Sequence, residues 1–289
     1  MVIVSLTGGL GNQLFQYAAG RAVALRQRTS LLMDITAFEI YTLRAYRLSN
    51  FNIQESIAHT GWLPRLFGRP TNRYLRSLRR RLPYFWLQRV KERTQFAFDP
   101  DIFKNGRHVL LEGFWQNERY FREIAPLLRD EFSLRNQTDR ENADMAVTIR
   151  NVNAVSIHVR RTDYVMNVRT AQTHGACSAA YYQAAMQMIC ANVRDPHFFV
   201  FSDDAAWAKN NLQFATPVTF VTHNQAERDY EDLRLMTLCR HHIIANSSFS
   251  WWGAWLGTNP GRIVIAPKRW FADETVDTSG LVPNGWRKI

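Results

Sequence analysis

Ala154-Val155-Ser156-Ile157-His158-Val159-Arg160-Arg161-Thr162-Asp163 is an apolar run that turns abruptly charged at its carboxyl end. Residues Ala154 to Val159 read as a buried strand, and the polar end reads as the loop that leaves it. The same unit recurs downstream. Ser178 to Asn192 reads as a helix, Phe198 to Ser202 as a strand with a short helix from Asp203, and Val218 to Thr222 as a strand before a helix across Tyr230 to Arg240. His242 to Ala245 and Arg262 to Ala266 read as the last two strands, separated by an aromatic helix from Phe249 to Leu256. Strands alternating with helices imply parallel sheets, whose ligands sit at the carboxyl ends of the strands.

Upstream, Val2 to Leu6 is a β-branched apolar run, and Thr7-Gly8-Gly9-Leu10-Gly11-Asn12 is a flexible turn. Leu14, Tyr17, Ala18, Arg21 and Leu25 then recur at helical spacing, so the start reads strand, glycine-rich loop, helix. Ser30 to Ile35 reads as a second strand, and His108 to Glu112 as a strand leading through Gly113 into a helix around Asn117 to Asp130. The polar stretch 135 to 152 is the natural boundary, giving an N-terminal domain of residues 1–145 and a C-terminal domain of residues 146–289.

The chain has 289 residues, 36 Lys plus Arg against 25 Asp plus Glu, and a formal net charge of +11. Between Trp62 and Gln95 lie ten cations, with Glu92 as the only acid. Removing that segment leaves 26 cations and 24 anions, so the basicity is local, an insertion in the first domain. A 46% hydrophobic composition supports a large core, and no apolar run of about 18 residues suggests a membrane span. The first residues lack the features of a signal peptide, and Cys177, Cys190 and Cys239 form no CxxC pair. A cytoplasmic protein with reduced thiols is the expectation.

Three strand ends carry candidate chemistry. Arg160 and Arg161 offer planar forked donors that stay charged at any working pH, which suits a diphosphate; a surface Arg–Asp salt bridge is the plainer alternative. Ser202-Asp203-Asp204 opens a helix, and a helix cap is the first role for at least one of these residues. A carboxylate on a base or ribose is the second, and a metal site the weakest. Asn246-Ser247-Ser248-Phe249 places small hydroxyl residues at a strand-to-helix junction, where amides meet phosphates. Trp251 and Trp255, four apart, are a packing pattern before they are a sugar platform. Gly8-Gly9-Leu10-Gly11-Asn12-Gln13 matches neither GxGxxG nor a Walker loop, and implies only a close approach to backbone. His241 and His242, neighbours on a strand, face opposite ways and make a poor metal site.

Taken together, these segments resemble the bacterial type of the α-1,2-fucosyltransferase family (glycosyltransferase family 11-like), with its α-1,6- and protein O-fucosyltransferase relatives. The matching text is Gly8 to Tyr17, Gly113-Phe114-Trp115-Gln116 ahead of Tyr120-Phe121, His158 to Tyr164, Ser202 to Asp204, Ala245 to Trp255 and Ala266 to Trp270, in family order. The resemblance implies an α/β, GT-B-like fold, two Rossmann-like halves facing across a cleft. It implies a galactoside 2-α-L-fucosyltransferase moving L-fucose from GDP-β-L-fucose to the 2-hydroxyl of a β-galactoside, with inversion and without a metal or other cofactor, in surface-glycan, O-antigen or oligosaccharide synthesis. Arg160 and Arg161 match the diphosphate ligands, and His158, Asp203 and Asp204 match positions near guanine and ribose. Asn246, Ser247, Ser248 and Phe249 match the segment around the phosphates, and Asn12, with Gly9, Gly11 and Gln13 in its loop, matches a position that faces the reacting centre in the relatives that use this loop. Asp163 orients the arginines, since two guanidiniums lower its pKa. Asn12 cannot act as a base, so the base stays unassigned; donor phosphate or water can take the proton late.

Transfer to another position, as in the α-1,6 relatives, is the nearest rival. A nucleic-acid-binding protein, suggested by the charge, belongs to a different class, and a catalytically dead sugar-nucleotide-binding protein is a third view. Trp62, Leu66, Phe67, Tyr74, Leu78, Phe85 and Trp86 interleave with the arginines of residues 62–95, which suggests a peripheral contact with anionic membrane and a lipid-linked acceptor rather than a nucleic-acid groove. A solvated basic helix face packed on its apolar side is the plainer reading.

Overall fold

The computed structural model describes residues 1–40, 44–58, 88–161, 175–273 and 275–289. Asp163 and most of the basic segment lie outside these residues. The described chain divides into two compact units, Met1–Ser133 with Ser279–Leu281, and Leu134–Thr278 with Val282–Ile289.

The first unit is built on four parallel strands in the order β2-β1-β4-β3. These are β1 (Val2–Ser5), β2 (Leu31–Asp34), β3 (Gln88–Lys91) and β4 (Val109–Glu112). Helix α1 (Leu10–Arg26) follows β1 and is buried around most of its circumference. It lies so close to the sheet that a Cβ at Gly20 would sit 3.0 Å from Leu31 Cδ1 and 3.1 Å from Val4 Cβ. That closeness explains a glycine in a helix interior, where it costs about 1 kcal/mol relative to alanine. Arg21 on the same helix pairs with Glu131 at 2.8 Å, and Tyr17 donates to the same carboxylate at 2.8 Å. Helix α2 (Ala37–Ile40) is a single turn.

The expected helix from Asn117 to Asp130 is instead two 3-10 turns followed by α3 (Ala125–Glu131). Asn117 breaks the pattern: its Oδ1 caps the first turn by accepting from Arg119 N–H, while its Nδ2 donates to Phe96 carbonyl. The expected domain boundary at 145/146 falls inside α4 (Arg140–Arg150), and the units divide after Ser133. The charged stretch hides a helix that buries only Asn142, Ala146 and Ile149, too narrow a face to register against its polar majority.

The second unit carries six parallel strands in the order β10-β9-β8-β5-β6-β7. They are β5 (Asn153–Val159), β6 (Pro196–Ser202), β7 (Val218–Val221), β8 (His241–Ile243), β9 (Val264–Ala266) and β10 (Arg287–Lys288). The connecting helices are α5 (Ala179–Asn192), α6 (Ala205–Asn211), α7 (Asp229–Leu238) and α8 (Ser248–Leu256). Alternation within strands fills both faces. Val155, Ile157, Val159, Phe198 and Val200 pack with Tyr182, Ala185, Met186 and Ile189 of α5. Ala154, Phe199 and Phe201 pack with Ala146 and Ile149 of α4 and Leu235 and Met236 of α7. Burial of each large apolar side chain contributes about 1.5–3 kcal/mol, which sets the strand register. Trp251 and Trp255 are buried and stacked, with ring centroids 5.9 Å apart, so they fill core as their spacing suggests.

Strand order fixes where a ligand belongs. From β5 the chain winds outward through β6 to β7, then returns to lay β8 on the other side of β5. The carboxyl ends of β5 and β8 therefore flank a crevice at a topological switch point. The first sheet has the same property between β1 and β4.

Candidate functional site

At the switch point of the second sheet, β5 delivers His158, Arg160 and Arg161, its neighbour β6 delivers Ser202, Asp203 and Asp204, and β8 delivers Asn246 and Ser247. Three sequence segments up to 90 residues apart thus meet at adjacent strand ends. Arg160 Nε lies 3.3 Å from Asp203 Oδ2, and the backbone N–H of Arg161 donates to Asp203 Oδ1 at 2.8 Å. Arg161 Nε is 3.7 Å from Asp204 Oδ2, close enough for charge attraction but without a hydrogen bond, and this buried N–H has no hydrogen-bond partner among the described residues. Two guanidiniums and two carboxylates formally cancel, so the arrangement supplies oriented donors more than net charge.

Asp204 also caps α6: its Oδ1 accepts from Trp207 N–H at 3.0 Å, and its own N–H donates to Ser202 Oγ at 2.9 Å. The cap reading of the Asp pair therefore describes Asp204, while Asp203 is placed against both arginines. His158 is buried, with its ring 5.3 Å from that of Phe249. Burial first, and Arg160 second, push its imidazole down to about 3, so it is neutral at working pH. The Tyr182 hydroxyl donates to the His158 carbonyl at 3.1 Å and fixes the strand end.

Ser247 is the N-cap residue of α8, yet its side chain makes no cap hydrogen bond and the first turn holds no acidic residue. The positive end of this helix is therefore not offset by its own side chains, which suits an anionic ligand. Ser248 and Phe249 are its first residues. Asn246 is placed as a brace: its amide donates to the carbonyls of Gly175 at 2.8 Å and Trp270 at 3.0 Å, and its Oδ1 accepts the Cys177 thiol. Burial holds that thiol up at about 11, so Cys177 is not a thiolate. Among the described residues no group of three or more His, Cys, Asp or Glu could hold a metal ion. His241 and His242 face apart as expected: His241 Nδ1 accepts from Ile263 N–H, and His242 Nδ1 is paired with Ser156 Oγ at 2.8 Å.

At the first sheet's switch point, the glycine-rich loop follows β1 and Gly113 to Gln116 follows β4. Gly9 is the N-cap of α1, and Gly8 has φ +79. Asn12 Oδ1 accepts from Gln116 Nε2 at 2.8 Å, joining the two loops. Gln13 is wholly buried and replaces backbone pairing, donating to the carbonyls of Gly8 and Ala45 and accepting from Arg47 N–H at 2.9 Å. Gln16, equally buried, accepts from Thr7 N–H at 2.9 Å and donates to Gly113 carbonyl at 3.2 Å. Glu92, the lone acid of the basic segment, accepts from the N–H groups of Phe114 at 2.8 Å and Trp115 at 3.1 Å. Burial raises its carboxyl pKa above the ordinary value, and Trp115 is held at φ +56.

Sequence reasoning assigned no site role to Trp207, Gln16 or Glu92. Trp207 has one legible signal, its place at the third helical position after a capping aspartate. The other two act through backbone groups of residues distant in sequence, which no local pattern marks.

The family model for glycosyl transferase family 11 matches residues 1–289. The chain belongs to this family. This family 11 protein is 36% identical, over all of its length and 99% of the other chain, to an α-1,2-colitosyltransferase of Escherichia coli. It is 32% identical to the O-antigen biosynthesis glycosyltransferase WbnK of Escherichia coli, over 97% of this chain and 98% of the other. A galactoside α-(1,2)-fucosyltransferase 1 of Mus musculus is 30% identical over 50% of this chain and 41% of its own. The expected family is thereby confirmed, and the protein is a glycosyltransferase of the fucosyltransferase type. Among its described residues, no helix is long and apolar enough to cross a membrane.

Proposed function

We propose that this family 11 glycosyltransferase moves L-fucose from GDP-β-L-fucose to the 2-hydroxyl of a β-galactoside, with inversion. The observation that carries the reading is the pair of aspartate-held arginines at the β5/β8 switch point, beside the uncapped start of α8. Breaking the sugar–phosphate bond puts negative charge on the departing GDP and positive charge on the sugar ring. Fixed guanidiniums and a helix N-terminus stabilise the former without having to reorganise. Arg160 and Arg161 bind the diphosphate, His158 and Phe249 lie toward the nucleoside, and the Asn12–Gln116 pair receives the acceptor sugar. Removing one such donor commonly costs about 3 kcal/mol, roughly a hundredfold in rate.

A second donor is favoured by one observation, the full-length similarity to an α-1,2-colitosyltransferase. Colitose is L-fucose without its 3-hydroxyl, so GDP-colitose presents the same diphosphate and the same 2-hydroxyl-directed transfer. Purified protein given GDP-fucose or GDP-colitose with β-galactoside acceptors, with and without chelator, tests both readings by product linkage in NMR spectra. Transfer to a β-galactoside O2 is expected, abolished about a hundredfold in Arg160→Ala. Transfer to another position, or an Arg160→Ala variant with unchanged GDP affinity and rate, refutes the reading. The basic segment 62–95 is the proposed membrane contact, and equal flotation with neutral and anionic vesicles removes that idea.

A further inference from the structure

The guanidinium of Arg161 lies over an aromatic ring: its Cζ is 3.9 Å from the centroid of Trp207. That ring is itself fixed on two sides. Tyr182, fully buried, meets it at 6.4 Å in an edge arrangement, and Asp204 Oδ1 accepts the Trp207 backbone N–H at 3.0 Å. Asp204 Oδ2 lies 3.7 Å from Arg161 Nε. Arg161 thus has its backbone held by Asp203, its guanidinium carbon seated over the Trp207 ring, and its Nε–H left without a hydrogen-bond acceptor among the described residues. A salt bridge in which Asp204 took the hydrogen bonds would consume those donors. A ring face attracts the cation while using none of them, so the in-plane N–H groups stay available.

We propose that Trp207 is a positioning residue of the donor site, orienting the guanidinium of Arg161 so that its N–H edge is presented to the diphosphate of the sugar nucleotide. The inference rests on the reading of Arg161 as a diphosphate ligand. Without the ring, the long side chain must be ordered by the ligand itself, and that ordering is charged against affinity.

The test is GDP titration by calorimetry on the full chain, with donor kinetics, for Trp207→Leu, Trp207→Phe, Arg161→Ala and the Arg161→Ala/Trp207→Leu double variant. Trp207→Leu is expected to weaken GDP about tenfold, within the range of a partly desolvated cation–π contact, and Trp207→Phe to restore most of it. In the Arg161→Ala background, Trp207→Leu is expected to add nothing. Site-specific incorporation of fluorinated tryptophans at position 207 keeps the shape and drains the ring face, so it serves where Trp207→Leu fails to fold. GDP affinity is then expected to fall stepwise with fluorine number. Flat affinity across that series, or full additivity in the double variant, overturns the proposal while leaving Arg161 as a ligand. An Arg161→Ala variant that binds GDP like the parent overturns the underlying reading instead.

Discussion

Asp232 on α7 gives a prediction that can be worked in numbers. Its carboxylate accepts from Asn224 Nδ2 at 2.8 Å, and Asn224 in turn exchanges hydrogen bonds with Asn142 near the start of α4. Burial, then the negative neighbours Asp229 and Glu231, push its pKa from the ordinary 3.8 to about 7, against the opposing hydrogen bond from Asn224. A raised carboxyl pKa means the folded state binds a proton that the unfolded state has lost. Stability from this group is therefore full below about pH 4, declines as pH rises through the window from 3.8 to about 7, and is flat above it. About three pKa units correspond to ~4 kcal/mol, an upper bound because water penetration and local relaxation reduce it. Asp232→Asn keeps an oxygen for Asn224 Nδ2 and removes the titration. Urea unfolding followed by circular dichroism should find the variant and the parent equal within about 0.5 kcal/mol near pH 4, and the variant about 2–4 kcal/mol more stable at pH 8. A difference that does not change between the two pH values refutes the reasoning, as does a less stable variant at pH 8.

Arg21→Ala leaves the Glu131 carboxylate buried without its cation and should cost about 3–5 kcal/mol in urea unfolding; a loss under 1 kcal/mol would be inconsistent with that burial. Gly8→Ala must adopt φ +79 and places a Cβ 2.6 Å from Asn12 Nδ2, so it should cost about 1–2 kcal/mol and disturb the Asn12–Gln116 contact. Its kcat/KM for acceptor should fall while donor KM holds. Glu92→Ala strips the acceptor from two backbone N–H groups, costing about 1–3 kcal/mol. Steady-state kinetics should show acceptor KM rising and donor KM unchanged; a rise in donor KM alone would contradict the assignment of this loop to the acceptor.

What was legible in the sequence followed burial. Strands β5 and β6 alternate because each residue serves one of two covered faces, and Phe198 to Phe201 divide cleanly between them. Strands β3 and β10 were missed because neither presents an apolar pattern: Gln88, Arg89 and Lys91 are exposed at a sheet edge, and Arg287 and Lys288 are likewise exposed. Arg160 and Arg161 were legible because they end an apolar strand abruptly with two cations, and the structure sets both beside aspartates. Their partners were not, because Asp203 and Asp204 reach them only through the neighbour relation of β5 and β6, a fact of topology. The brace made by Asn246 was equally hidden, since Gly175 and Trp270 are 71 and 24 residues away.

Gln16 has a bearing on redesign. One side chain, wholly buried in the first helix, is bonded at one end to the loop after β1 and at the other to the loop after β4. With Asn12 joined to Gln116 across the same two loops, these segments behave as a single machined part. Swapping either loop alone for a relative's version would leave half of that joint mismatched. On the proposed assignment of these loops to the acceptor, acceptor preference is better altered by exchanging both loops together with the helix that carries Gln16, or by changing only residues outside the joint.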